Sequence, residues 1–268
     1  MDFTTAIYGA HLLLPEESRS VANIMRAAAG LGFDGIDLGY YWDPENKVQE
    51  MKDAGKLAED LNLKLTNYIC ANNFGNAIER GELQAEIDKV KTALDEAAEM
   101  GCENLRVFAG GYKLEWEKYC TGIADALAVC VSHAEKNNVV MALEDHGALC
   151  KDSSEQLFYL DTVNSPFLRA TVDIGNYWMP GGELPVNGVA AVADYAAMVH
   201  VKDYLIINNQ FVPVPSGEGL IDLEQCFRIL KDAGYQGTIS LEYECAIGVA
   251  KQGIATSLSN MRRLYAGC

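Results

Sequence analysis

Three carboxylates and one imidazole, Glu144, Asp173, Glu242 and His200, stand at or just past the ends of four short apolar runs in the second half of the chain. The runs cover residues 139–144, 169–173, 197–200 and 238–242. Each has the length and β-branched, apolar composition of a buried strand. A charge at the tip of a buried strand is costly without a partner, and three carboxylates gathered at one point repel. A divalent cation removes both costs and orients all four side chains, so the pattern reads as a metal site.

The intervals between the four residues, 29, 27 and 42, each leave room for one helix and one strand. Four successive βα units presenting ligands from the same strand end describe one mouth of a parallel β/α barrel or of a doubly wound sheet. The rest of the chain continues the rhythm, with strands expected at 5–10, 35–38, 63–69 and 104–108. Between 82 and 100 the apolar residues Leu83, Ile87, Val90, Leu94 and Ala97 recur at helical spacing. Further helices are expected near 25–29, 57–61, 123–131, 154–160, 189–195, 223–230 and 254–264. Eight alternating pairs without a second period predict a single (β/α)8 barrel, α/β in class, occupying residues 1–268 as one domain. The chain's 268 residues match the ~250 typical of that architecture. Gly32-Phe33 and Gly234-Tyr235 read as helix stops. Neither Gly181-Gly182 nor Gly217-Glu218-Gly219 has the spacing of a nucleotide-binding loop.

Strand alternation adds neighbours to the ligands, because residues two apart share a face. His146 projects with Glu144, Lys202 with His200, and Glu244 with Glu242 if that strand continues. His146 is either a hydrogen-bonded loop histidine or a proton-transfer group. Lys202 either pairs with the adjacent Asp203 or stabilises negative charge on a substrate oxygen. Arg106 is a core ion-pair partner or a substrate contact, and His11, just past the first strand, can line the pocket. His133 falls on a helix surface. Among the aromatic residues near strand ends, Tyr40, Tyr41, Trp42, Tyr68, Phe108, Tyr177 and Trp178, one or two can form a wall for the C–H face of a sugar.

A net charge of −17 with no basic stripe argues against nucleic acid and equally against anionic membranes. No run approaches the ~20 apolar residues of a membrane span. The N-terminus lacks a signal sequence, which makes a soluble, cytoplasmic protein the expectation. Eight cysteines without C-x-x-C spacing read as buried thiols in a reducing compartment.

Five segments resemble the xylose isomerase-like barrels, specifically the sugar-phosphate isomerase/epimerase group: Ala142-Leu143-Glu144-Asp145-His146-Gly147, Val172-Asp173-Ile174-Gly175-Asn176, Val199-His200-Val201-Lys202-Asp203, Gly217-Glu218-Gly219-Leu220-Ile221-Asp222 and Ser240-Leu241-Glu242-Tyr243-Glu244. The resemblance implies a TIM barrel holding one Mn²⁺-type divalent ion (Mg²⁺, Co²⁺ and Zn²⁺ being alternatives) on Glu144, Asp173, His200 and Glu242. It implies a small-molecule sugar substrate, with Glu144 and Glu242 moving protons next to a carbonyl through a metal-stabilised enediolate. Asn176 and Glu218 join Lys202, Arg106, His11 and Trp42 as expected substrate contacts. The chain departs from ketose 3-epimerases, which carry an Asn-Arg pair where Asp145-His146-Gly147-Ala148 stands. It departs from endonuclease IV in having Asn176 where a zinc-binding histidine is needed. The Glu-x-His-Gly form also occurs in keto-inositol dehydratases and in C-glycoside-cleaving subunits. A metal-dependent lyase using His146 is therefore the alternative, and a non-catalytic sugar-binding barrel is a third. A homo-oligomer or an accessory subunit is compatible with each.

Overall fold

The computed structural model describes residues 1–245 and 250–268. Its strands are β1 (Asp2–Ala6), β2 (Gly35–Asp37), β3 (Asn67–Ile69), β4 (Asn104–Phe108), β5 (Val140–Glu144), β6 (Leu168–Asp173), β7 (Ala196–Val201), β8 (Asp203–Ile207), β9 (Gln210–Val214) and β10 (Thr238–Leu241). All but β8 and β9 join in one parallel sheet of eight strands, in spatial order β2-β1-β10-β7-β6-β5-β4-β3. Isolated bridges Gly35↔Lys64 and Leu38↔Tyr68 bring β2 against the β3 side, so the sheet nearly closes into a TIM barrel. Gly39 makes that seam possible. Its φ is +140°, and a Cβ there would lie 2.0 Å from the carbonyl oxygen of Ile69.

The helices are α1 (Ile7–Ala10), α2 (Val21–Leu31), α3 (Lys47–Leu61), α4 (Phe74–Arg80), α5 (Leu83–Glu99), α6 (Trp116–Asn137), α7 (Ser153–Val163), α8 (Pro185–Val192), α9 (Leu223–Asp232) and α10 (Ala250–Gly267). Local chemistry sets many of their ends. Ser20, Asn73, Asp152 and Asp222 each accept a backbone N–H in the first turn of α2, α4, α7 and α9. Gly32 ends α2 in the left-handed conformation, as expected, and Asn62, Asn138 and Asn164 do the same for α3, α6 and α7.

Three details differ from the sequence reading. The first strand is Asp2–Ala6 rather than 5–10, because its pairing partners run out at Asp37 and Leu241 and the chain turns directly into α1. The third strand is short, Asn67–Ile69 rather than 63–69. The 42-residue interval before Glu242 holds more than one helix and one strand. The antiparallel hairpin of β8 and β9 is inserted there and turns on Asn208-Asn209, both at positive φ.

The barrel interior below the mouth is polar. The buried Asp37 carboxylate accepts from Asn67 Nδ2 at 2.9 Å and from the Ser240 and Thr4 hydroxyls. Asn67 also donates to Thr238 and accepts from Asn104. Every buried donor so paired avoids the desolvation cost of an orphan. This layer forms a hydrogen-bonded floor under the site.

Candidate metal centre

The ends of β5, β6, β7 and β10 bring Glu144, Asp173, His200 and Glu242 together, all buried. One ligand atom from each lies within 4.8 Å of all the others. An irregularity of register between Ala170 and Thr171 aligns the end of β6 with β7, so that Asp173 stands level with His200. Ser240 is opposite His200 across the other edge of β7, which sets Glu242 just beyond.

Each carboxylate is anchored through one oxygen and leaves the other turned inward. Glu144 Oε2 accepts from Arg106 Nη1 at 2.9 Å, and its Oε1 lies 3.2 Å from His200 Nδ1. Asp173 Oδ1 accepts the backbone N–H groups of Gly175 and Asn176. Glu242 Oε2 lies 2.6 Å from Lys202 Nζ, and its Oε1 lies 2.7 Å from His200 Nδ1. Lys202 Nζ also stands 2.8 Å from Asp173 Oδ2. The approaches to Glu242 Oε1 and Asp173 Oδ2 are close but not aligned for hydrogen bonding, and both oxygens remain unsatisfied together with His200 Nε2. The two buried carboxylate oxygens left without partners within this four-residue ligand set are what a cation would satisfy. Two carboxylate oxygens this close to one imidazole nitrogen fit a shared positive charge between them. The donor set, three carboxylate oxygens and one nitrogen, suits Mn²⁺, Mg²⁺, Co²⁺ or Zn²⁺.

The same packing separates the acid strengths of the carboxyls. Burial acting alone would raise the Glu144 carboxyl, but the Arg106 guanidinium and His200 outweigh it and hold it well below the usual range. Burial raises Asp173 to about 6, with Lys202 pulling the other way. Burial and then Glu244 push Glu242 upward, against the attraction of the Lys202 ammonium 2.6 Å away. Burial presses the Lys202 ammonium towards its neutral form, and the surrounding carboxylates, Asp173 first, more than reverse this.

Above the ligands lies a cavity of about 390 Å³, lined by Glu144, Glu242, Lys202, Arg106, His146 and Glu244 and walled by Tyr8, Tyr40, Tyr41, Phe108 and Tyr112. His146 lies against Phe108, ring centroids 4.3 Å apart, and burial lowers its pKa. Arg106 takes the ion-pair placement expected of it, with Glu144, and also lines the cavity. Its guanidinium also stacks over Phe108 at 3.9 Å and donates to Tyr40. Asn176 sits just behind, buried, with Oδ1 3.3 Å from Lys202 Nζ.

Other residues named from the sequence lie elsewhere. Trp42 turns away and donates its indole N–H to Tyr68, which donates to Glu96 on α5, so Trp42 belongs to the helix layer. His11 is at the rim, 3.3 Å from the Tyr41 hydroxyl, and is not in the cavity lining. Glu218 is exposed on the loop after β9. Tyr177 is buried against Gln156, and Trp178 packs on Phe211. Lys202 does not pair with Asp203. The Asp203 carboxylate instead accepts the backbone N–H groups of Gly217, Gly219 and Ile221, and a Cβ at Gly219 would fall 2.0 Å from its oxygen. That explains the Gly-x-Gly segment as a loop wrapped around a buried carboxylate. His133 pairs with Asp95 on the helix surface. Tyr8 and Tyr112 are wall residues that the strand pattern does not mark. A first strand ending at Ala6 is the signal that places Tyr8 at the mouth.

A larger cavity of about 1070 Å³ opens among Phe33, Met51, Lys56, Leu63 and Met100. It lies at the strands' N-terminal ends, where barrels keep stabilising rather than catalytic residues.

The fold and this mouth define the class, and a model of the xylose isomerase-like TIM barrel family matches residues 25–264: the chain belongs to that family. Among curated proteins, the L-ribulose-5-phosphate 3-epimerase UlaE of Shigella boydii is 26% identical over 238 residues, covering 81% of this chain and 80% of that enzyme. The Escherichia coli enzyme of the same name is 34% identical over a shorter stretch of 120 residues, 44% of this chain and 41% of the relative. Both relatives are named as 3-epimerases, the group from whose sequence pattern this chain departs at 145–148. Among solved structures, the 3-keto-D-glucoside 4-epimerase YcjR of E. coli superposes with a TM-score of 0.77 at 18% identity, covering 98% of this chain and 99% of that one. The IOLI protein with a bound zinc atom gives 0.81 at 17% identity, covering 100% and 99%. No described helix is long and apolar enough to cross a membrane.

His200→Ala is expected to deplete bound metal, because His200 is the only nitrogen ligand of the set and stands between Glu144 and Glu242. Elemental analysis of the purified variant checks this. Wild-type occupancy would remove His200 from the ligand set.

Proposed function

We propose that this chain is a divalent-metal-dependent isomerase or epimerase of a keto sugar, with Glu144, Asp173, His200 and Glu242 holding the ion and the two glutamates moving the proton. The observation that carries this reading is the buried four-residue ligand set, with Asp173 Oδ2 and Glu242 Oε1 unsatisfied, beneath a cavity that both glutamates also line. A divalent ion bound there supplies Lewis acidity to vicinal sugar oxygens and lowers the pKa of the C–H bond between them. The chain's own groups do the rest. One glutamate takes the proton from the carbon next to the carbonyl, and the electron pair passes to the carbonyl oxygen. The other glutamate returns a proton, to the opposite face of the same carbon in an epimerase or to the neighbouring carbon in an isomerase. Arg106 keeps Glu144 ionised and fixes its orientation. Lys202 orients Glu242 and adds positive charge near the developing oxyanion. The named activities of UlaE and YcjR, both epimerases of sugars, support the reading.

The test is incubation of the metal-loaded protein in D₂O with a panel of ketoses, keto-inositols and 3-keto glycosides. Deuterium entering a position next to the carbonyl is expected for at least one of them. Absence of exchange across the panel, with metal bound, would leave a non-catalytic binding barrel.

His146 favours a second reading, a lyase, because it lines the same cavity and could protonate a departing group. His146→Ala is expected to keep both deuterium exchange and product formation near wild type, since both protons of an isomerase travel on the glutamates. Retained exchange with lost elimination would establish the lyase instead.

A further inference from the structure

We infer that the substrate is an uncharged keto sugar, carrying neither phosphate nor carboxylate, whose apolar face rests on the tyrosine and phenylalanine wall. This rests on the reading above and names the substrate class of that same site. Only two side chains in the cavity lining carry a permanent positive charge, Arg106 and Lys202. Neither is free. Arg106 gives one Nη to Glu144 at 2.9 Å and the other to Tyr40 at 3.0 Å, with its plane held on Phe108. Lys202 is shared among Asp173, Glu242 and Glu244 at 2.8, 2.6 and 3.2 Å. Turning either towards a phosphate would strand a buried carboxylate, and breaking one side of a buried pair is strongly unfavourable.

The charge balance agrees. Asp173, Glu144, Glu242 and Glu244 against Arg106 and Lys202 leave two negative charges, which one divalent ion neutralises. A phosphate dianion entering that balanced site would bring two charges with no guanidinium fork or free ammonium in the described cavity lining to receive them. Residues 246–249, Ala-Ile-Gly-Val, add no cation by sequence. The remaining surface suits an uncharged polyol. Tyr8, Tyr40, Tyr41, Phe108 and Tyr112 offer rings for C–H faces and hydroxyls for polar edges. The curated relatives are named for a phosphorylated pentulose, so this assignment separates the chain from them.

The experiment compares matched pairs, each ketose against its own phosphate ester, for solvent deuterium uptake by the metal-loaded full chain. A kcat/KM for the neutral member higher by about 100-fold, the scale that unpaired like charge imposes, is expected. Tyr112→Ala, at an exposed wall position, should raise KM for the neutral ketose by about 3- to 10-fold, a larger change than any in kcat. Preference for the phosphate ester overturns the inference and keeps the proton-transfer reading. Lack of exchange with both members of every pair overturns the reading on which it rests. Arg19, whose charge acts on His11 and Tyr41, and Lys113 are cations outside the lining: loss of activity on a phosphate ester in the Arg19→Ala, Lys113→Ala double variant would place phosphate against them and overturn the inference.

Discussion

Glu144→Gln and Glu242→Gln are each expected to lower turnover by about 10²–10⁴-fold, while KM for the same ketose changes far less. Both substitutions retain an oxygen that can ligate, so the ion stays bound, but the amide cannot accept and return the reacting proton. The two variants fail at different half-reactions. With one glutamate left, proton removal can still occur, so one variant retains deuterium wash-in at the abstracted position after product formation has stopped. Steady-state kinetics in H₂O and mass-resolved exchange in D₂O measure the two effects. A change confined to KM would reduce both glutamates to positioning groups. Arg106 constrains the first variant further: its guanidinium only donates, so the amide introduced by Glu144→Gln can replace the 2.9 Å contact of Glu144 Oε2 through its oxygen but not through its N–H₂.

Lys202→Met is expected to destabilise the metal-free chain by about 3–5 kcal/mol, the cost of removing one partner from a buried ion-pair network. Lys202 is buried and is the only lysine or arginine within 4 Å of Asp173, Glu242 and Glu244 among the described residues. Its loss leaves three carboxylates facing one another. Addition of Mn²⁺ should restore about 2.7 kcal/mol at 100 times its Kd, because the ion binds the folded state only. Denaturant midpoints with and without the metal, at an unchanged slope, provide the measurement. A shift within about 0.5 kcal/mol would place Lys202 among ordinary surface substitutions and remove it from the site's charge balance.

The four candidate ligands are legible in the sequence because each interrupts an apolar, β-branched run at its end, where neither core packing nor a solvated loop requires a charge. Their partners are only half legible. Alternation in β7 puts Lys202 beside His200, but that Lys202 reaches Asp173 and Glu242 rather than Asp203 depends on the β6–β7 register and on the loop wrapped around Asp203. Arg106 meets Glu144 because Phe108 is opposite Glu144 across β4 and β5, a pairing that brings together side chains 38 residues apart in sequence. In the aromatic loop, Tyr41 at φ 65° splits the run, so Tyr40 and Tyr41 face the cavity while Trp42 reaches Tyr68. The β8–β9 hairpin does carry a signal, Asn208-Asn209 between two apolar runs, the residue type that accepts positive φ in a tight hairpin. An even rhythm of one helix and one strand per interval hides it.

Metal-dependent proton abstraction is tested most directly by following deuterium uptake next to the carbonyl of a neutral ketose through chelation and reloading of the wild-type chain. The account predicts that uptake is lost in chelated protein, returns in proportion to added Mn²⁺ until one ion is bound per chain, and does not return in His200→Ala. Uptake that continues undiminished in fully chelated protein would contradict it.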